Sequence, residues 1–283
     1  MLTRQAVAES WRANVYLPLA WRPANGGHLR QGHGGGVIAI DATLGRPAYI
    51  KPRNPMIPEA AALEKIASDL AHDLGIELPP VVLTDPPTGW TATNRQVCAS
   101  LVVYGHQLHW GGAQHGVQLK PGSAVADDPA LHARAALLHR TEWGRLVASD
   151  IPIQAARAFV FDSWVGQPDH NHPSNIVWGI DTKDAGRHGL CFFDYEMAFG
   201  VGGWAPVGPA PFPEEMLAGM DRGEVAATIA GVEAMQVAPI RAIVDRIPVR
   251  FMQHDRKEDL LQQLLTRRET LREALAAFVE SAG

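Results

Sequence analysis

The sequence predicts an α+β fold, with strands gathered in residues 1–105 and helices dominating residues 106–283. Three observations carry this. Short β-rich runs fill the front of the chain, a single strongly periodic helix interrupts them, and the stretch from Pro213 to the C-terminus is almost wholly helical in pattern. With 283 residues, 46% of them hydrophobic and 19% charged, the chain can bury a full core as one large domain or two small lobes.

In the front part, "GGVIAIDATLGRPAYIKP" holds two β-rich runs, Val37–Ile40 and Pro47–Lys51, joined by a turn-like "DATLGR". The segment Glu59 to Leu74 places Ala62, Ile66, Leu70 and Leu74 on one face, and Gly75 follows as a stop. "PPVVLTD" and the long apolar "RQVCASLVVYG" predict further strands. Beyond them the character turns helical, over Asp128 to Ser149 and Ile153 to Val165. Two short apolar segments, "NIVW" and "LCFFDY", are separated by the polar "GIDTKDAGRHG" and predict a small hairpin among helices. The C-terminal "RKEDLLQQLLTRRETLREALAAFVE" predicts a solvated amphipathic helix over core leucines.

Composition narrows the function classes. Cys98 and Cys191 have no partner spacing, so neither a disulfide framework nor a four-thiolate zinc site is predicted, which points to a reducing compartment. The N-terminus lacks the pattern of a cleaved leader and no stretch approaches membrane-spanning length, so a soluble, cytoplasmic protein is expected. A net charge of -5 argues against direct nucleic-acid binding, which needs a clustered positive excess.

The chemistry concentrates in "FDSWVGQPDHNHPSN" and "CFFDYEMAFG". Asp169, then Asn175, then Asp194 at the end of an apolar run form an oxygen-rich set suited to a hard cation such as Mg2+, provided the hairpin returns Asp194 towards Asn175. A charge straight after "LCFF" must be paired, hydrated or bound to a cation if that segment is interior. Phosphoryl transfer also needs a carboxylate beside the acceptor hydroxyl and a cation for the nucleotide phosphates. Asp169 fits the first role and Lys51, ending "AYIK", the second. Glu64 is the partner expected for Lys51, with Glu59 as a second candidate. The pair His170 and His172 in "DHNH" opens another reading, a metal-dependent hydrolase, although the spacing matches no strong zinc signature.

Taken together, "YIKP", "EAAALEKIASDLAHDLGIELPPVVL", "FDSWVGQPDHNHPSNIVW" and "CFFDYEMAFG" resemble the HipA-like branch of the protein-kinase-like fold, related to the lipid-kinase catalytic core. The match runs over about residues 35 to 200. The resemblance implies a bilobal architecture: a small β-rich, nucleotide-covering N-lobe over 1–105 and a larger helical C-lobe over 106–283. It implies an ATP- and Mg2+-dependent kinase acting on a hydroxyl, often a protein Ser or Thr, sometimes in a toxin–antitoxin setting with an antitoxin or regulatory partner. Lys51 would bind phosphates, Glu64 would position Lys51, Asp169 would be the catalytic Asp, and Asn175 and Asp194 would hold Mg2+.

The chain departs from that pattern at three places. His170 stands where relatives usually have Arg, Asn175 falls six residues after Asp169 instead of five, and Tyr195-Glu196 replaces the Phe-Gly of ordinary protein kinases. These departures keep open a pseudokinase, or nucleotide-binding module without turnover. In "GGHLRQGHGGG", Gly34 and Gly35 could let backbone amides approach phosphate, with Arg30 or His33 adding positive charge, or the segment could be a simple turn.

Overall fold

The computed structural model describes residues 4–23, 37–43, 45–51, 54, 56–88, 96–102, 106–109, 151–171, 175–180, 188–200 and 208–279. The expected helix over 128–149, the glycines Gly34 and Gly35, and Arg30, His33 and His172 lie outside these residues.

The front of the chain begins with helix α1 (Arg4–Ala13), an element the sequence reading did not assign. Its apolar residues Val7 and Trp11 stand four apart and are both fully buried. Strands β1 (Trp21–Pro23), β2 (Val37–Asp41), β3 (Pro47–Lys51), β4 (Val81–Thr84) and β5 (Val97–Leu101) form one antiparallel sheet in the order β1-β2-β3-β5-β4. Pro47 opens β3, where its missing N–H does not interrupt the ladder.

Strand alternation divides the two faces of this sheet. Ala48, Ile50, Val82, Val97 and Ala99 pack with Val7 and Trp11 in one cluster, so α1 covers that face. The opposite face presents Leu83 and Cys98 to the main core and to helix α2 (Ala60–Asp73). Lys51 pairs with Cys98 across β3 and β5, and period two turns its side chain away from Ile50, towards α2.

Helix α2 stops as the sequence predicts. Gly75 adopts φ +70°, its N–H bonds the carbonyl of His72 at 2.9 Å, and the N–H of Ile76 bonds Ala71 at 2.8 Å. This closes the last turn on orphan carbonyls in the geometry that favours glycine.

Helix α3 (Ile151–Val165) is apolar nearly all round, which fits its place at the centre of the fold. It ends at Gly166, whose φ is +67° and whose missing Cβ leaves room for the Arg267 guanidinium carbon, 2.8 Å from where a Cβ would stand. The hairpin predicted at "NIVW" and "LCFFDY" is present as β7 (Ile176–Ile180) and β8 (His188–Phe192). It belongs to a larger unit than expected, because β6 (His106–His109) pairs with β7 and makes a three-stranded sheet.

Helices α4 (Glu214–Gly219), α5 (Arg222–Ala234), α6 (Val237–Asp245), α7 (His254–Ala274) and α8 (Ala276–Val279) complete the chain. Asp221 caps α5 by accepting from the N–H of Glu224 at 2.9 Å. Leu260, Leu261, Leu264 and Leu271 of α7 are buried, and Trp164 of α3 donates its indole N–H to the Leu264 carbonyl at 3.0 Å. Among the described residues no single helix is long and apolar enough to cross a membrane.

Candidate active site

Three elements remote in sequence deliver charge to one point. Lys51 ends β3, Glu64 sits in the second turn of α2, and Asp194 lies two residues past the end of β8. The Lys51 ammonium donates to both carboxylates, at Oε1 of Glu64 and Oδ1 of Asp194. Burial alone would lower the Lys51 ammonium, but Asp194 and Glu64 outweigh it and hold it well above the usual lysine range. Glu59, the second candidate, stands at the N-cap of α2 instead.

One lysine shared by two carboxylates leaves a surplus of negative charge. Burial pushes the Glu64 carboxyl up, Lys51 pulls it down, and Asp194 raises it again, for a net rise to about 7. The consequence for stability has a definite sign. The folded state holds a proton on Glu64 that the unfolded chain has released, so this contribution is fully present below pH 4.5 and is lost as pH climbs to about 7. Glu64→Gln has no such proton to lose. Thermal melts of the two proteins across that window are expected to show a downward slope in the wild type that is shallower in the variant; parallel slopes would refute the raised value.

Asp194 adopts φ +77°, a left-handed conformation that Asp tolerates better than most residues but still at some cost. Its carbonyl accepts from Nε2 of Gln167 at 2.6 Å, and its side chain keeps 28% of its surface exposed.

The second group forms on the loop after α3. Asn175 Nδ2 donates to Oδ2 of Asp169 at 2.7 Å and to its carbonyl at 3.2 Å, so the extra residue in the loop does not part the two side chains. The Asn175 carbonyl in turn accepts from the N–H of Phe193 at 3.2 Å, tying the loop to the strand end beside Asp194. Lys51, Glu64 and Asp194 thus meet directly, Asp169 and Asn175 meet each other, and the Phe193 N–H links the second pair to the residue before Asp194.

Sequence reasoning missed the residues that hold these groups in place. His170 is completely buried. Its Nδ1 lies 2.6 Å from Oδ2 of Asp162 and its Nε2 lies 2.9 Å from the Phe193 carbonyl. The amide Nε2 of Gln167 also approaches His170 Nε2, at 3.3 Å, so three partners hold the ring. Burial would lower the His170 value, but Asp162 and the Phe193 carbonyl raise it further. Tyr195 donates to the other oxygen of Asp162 at 3.0 Å and sets its ring edge-on to His170. With both nitrogens engaged inside the fold, His170 is not a ligand for a transition metal. Among the described residues no cluster of three or more His, Cys, Asp or Glu is arranged to hold a metal ion.

Glu196 was read only as a departure from a family pattern. It accepts from Nδ2 of Asn54 at 3.3 Å, and burial raises its carboxyl against the pull of Lys51. Asp162 did leave a signal, as the lone acid within "AARAFVFDSWVG".

The fold is similar to that of the Helicobacter pylori proinflammatory kinase CtkA, with a TM-score of 0.60 and 13% identity over 95% of this chain and 99% of that one. At that identity the likeness speaks for the fold: the chain has a protein-kinase-like fold. Weaker overlaps are found with an aminoglycoside phosphotransferase from Alicyclobacillus acidocaldarius (TM-score 0.29, 15% identity, 99% and 96% of the two chains) and with a microcompartment-associated aminopropanol kinase (TM-score 0.26, 11% identity, 98% and 99%). Their scores are too low to weigh. No protein-family model matches the sequence, and no curated protein does.

Proposed function

We propose that the protein is a HipA-like kinase that uses ATP with Mg2+ and transfers the γ-phosphate to a hydroxyl, with protein Ser or Thr as the acceptor class. The observation that carries this reading is the meeting of Lys51, Glu64 and Asp194 from three separate elements. The donor set suits the groups it would hold. The side chains of Asn175 and Asp194 both offer oxygen atoms of the kind a hard cation takes.

Mg2+, when bound with the nucleotide, supplies positive charge on the β- and γ-phosphate oxygens. Lys51 neutralises phosphate charge, and Glu64 keeps the ammonium from swinging away. Asn175 fixes Oδ2 of Asp169, so Oδ1 accepts the hydrogen bond from the acceptor hydroxyl and aims its oxygen at phosphorus. The bond from γ-phosphorus to the bridging oxygen breaks, the bond to the hydroxyl oxygen forms, and the hydroxyl proton passes to Asp169. Positioning and charge compensation account for most of the rate.

Incubation with γ-labelled ATP and Mg2+ is the test, with Asp169→Ala alongside. Label on the protein, on an added acceptor, or released as phosphate is expected from the wild type and not from the variant. Label transferred only from α-labelled ATP would mean nucleotidyl transfer instead. A nucleotide-binding module without turnover is the second reading, favoured because Lys51 already occupies Asp194 as a resident cation. ATP-induced thermal stabilisation with no loss of γ-phosphate would select it.

A further inference from the structure

Helix α2 carries Glu64 and is buried at all twelve positions from Ala60 to Ala71, five of which are alanine. Side-chain ridges fitting into grooves fix how a helix is rotated against its neighbours, and alanine ridges are shallow. Apolar packing alone therefore leaves the rotation of α2 weakly specified. The helix nonetheless has to aim Glu64 at one ammonium.

A run of buried polar bonds begins at the very next residue. Lys65, fully buried, donates to the Trp11 carbonyl of α1 at 2.9 Å and to Oδ1 of Asp69 at 2.9 Å. The other oxygen of Asp69 takes Nη2 of Arg246 at the end of α6. Ser68 adds a bond to the Pro79 carbonyl at 2.8 Å. Consecutive helical residues point about 100° apart, so Glu64 faces Lys51 while Lys65 faces α1. Burial draws Lys65 down to about 8 against the pull of Asp69. A buried ion pair of this kind is weak evidence for stability, and the best-attested use of such pairs is to set register.

We propose that Lys65, Asp69 and Arg246 are positioning residues that fix the rotation of α2, so that helix α6 controls how well Glu64 holds Lys51. This rests on the kinase reading only for its effect on turnover, since the Lys51–Glu64 contact itself can be measured without nucleotide.

Two variants test it. Lys65→Met/Asp69→Leu removes the pair at similar volume, and Arg246→Ala cuts the link to α6 from a partly exposed side chain. Acylation of Lys51 in the absence of nucleotide, followed by mass spectrometry, reads whether its ammonium is held. Amide exchange in α2 compared with α3 separates local loosening from general unfolding. In both variants Lys51 labelling is expected to accelerate about tenfold, with faster exchange in α2 and unchanged exchange in α3. The double variant should melt no lower than the wild type while its KM for Mg-ATP rises more than its kcat falls. Unchanged Lys51 labelling in both variants, or exchange in α3 rising in step with α2, would overturn the proposal. A wild type that fails to bind ATP would sink the kinase reading and leave the labelling result standing.

Discussion

Asp194→Asn is expected to reduce γ-phosphate transfer by about 10²–10³-fold, the loss typical when one preorganised charge-stabilising group is removed. Stability should change little, because Asn also tolerates the left-handed conformation imposed by φ +77° and keeps an oxygen towards Lys51. What disappears is a negative charge. Two consequences follow from that single change. The oxygen set proposed for Mg2+ loses its carboxylate, and the Glu64 carboxyl falls from about 7, since Asp194 is one of the groups that raises it. Lys51 therefore stays paired, now with Glu64 alone, and nucleotide binding should suffer less than turnover. Steady-state kinetics with labelled ATP and a thermal melt decide the matter together. Full activity in Asp194→Asn would remove the metal assignment, and a large fall in melting temperature would make the residue a structural one.

Asp162→Ala is expected to be the most damaging substitution for the fold itself. It removes the carboxylate beside Nδ1 of His170 while leaving the ring fully buried, and it orphans the Tyr195 hydroxyl. Breaking a buried pair by removing one partner costs about 3–5 kcal/mol. In a chain of this size that corresponds to a fall of about 10 °C in melting temperature. The effect on the site should be as marked, because His170 follows Asp169 directly and holds the carbonyl of Phe193, the residue before Asp194. Asp162→Asn keeps one acceptor oxygen and puts an amide N–H, a donor, in place of the other, so its melting temperature should fall between those of the wild type and the alanine variant. Equal melting of all three proteins would mean that the pair carries no weight.

Much of this site is legible along the chain because charge in an apolar context has few explanations. Lys51 ends a strand whose other residues are hydrophobic, and Asp194 follows "LCFF". Helix α2 is legible through its period and its Gly75 stop, which the closing hydrogen bonds of Ile76 and Gly75 account for. Helix α1 is not, because a ten-residue helix with two core-facing positions, Val7 and Trp11, gives too short a period to stand out. Strand β6 escapes for a similar reason: "HQLH" is polar and becomes a strand through its pairing with β7. The choice of Glu64 over Glu59 is a matter of one helical turn, which register favours and the ion pair with Lys51 fixes.

By itself the sequence determined the α+β division, the long helices and the residue types able to carry phosphoryl chemistry, since hydrophobic period and isolated charge are local properties of a chain. Only the tertiary structure decided that Lys51 bridges Glu64 and Asp194, that His170 is a buried ring held by Asp162 rather than a surface one, and that Arg246 reaches Asp69. The reason is physical. Partners of a buried charge are selected by desolvation, which depends on what surrounds a group after folding and leaves no period or spacing along the chain.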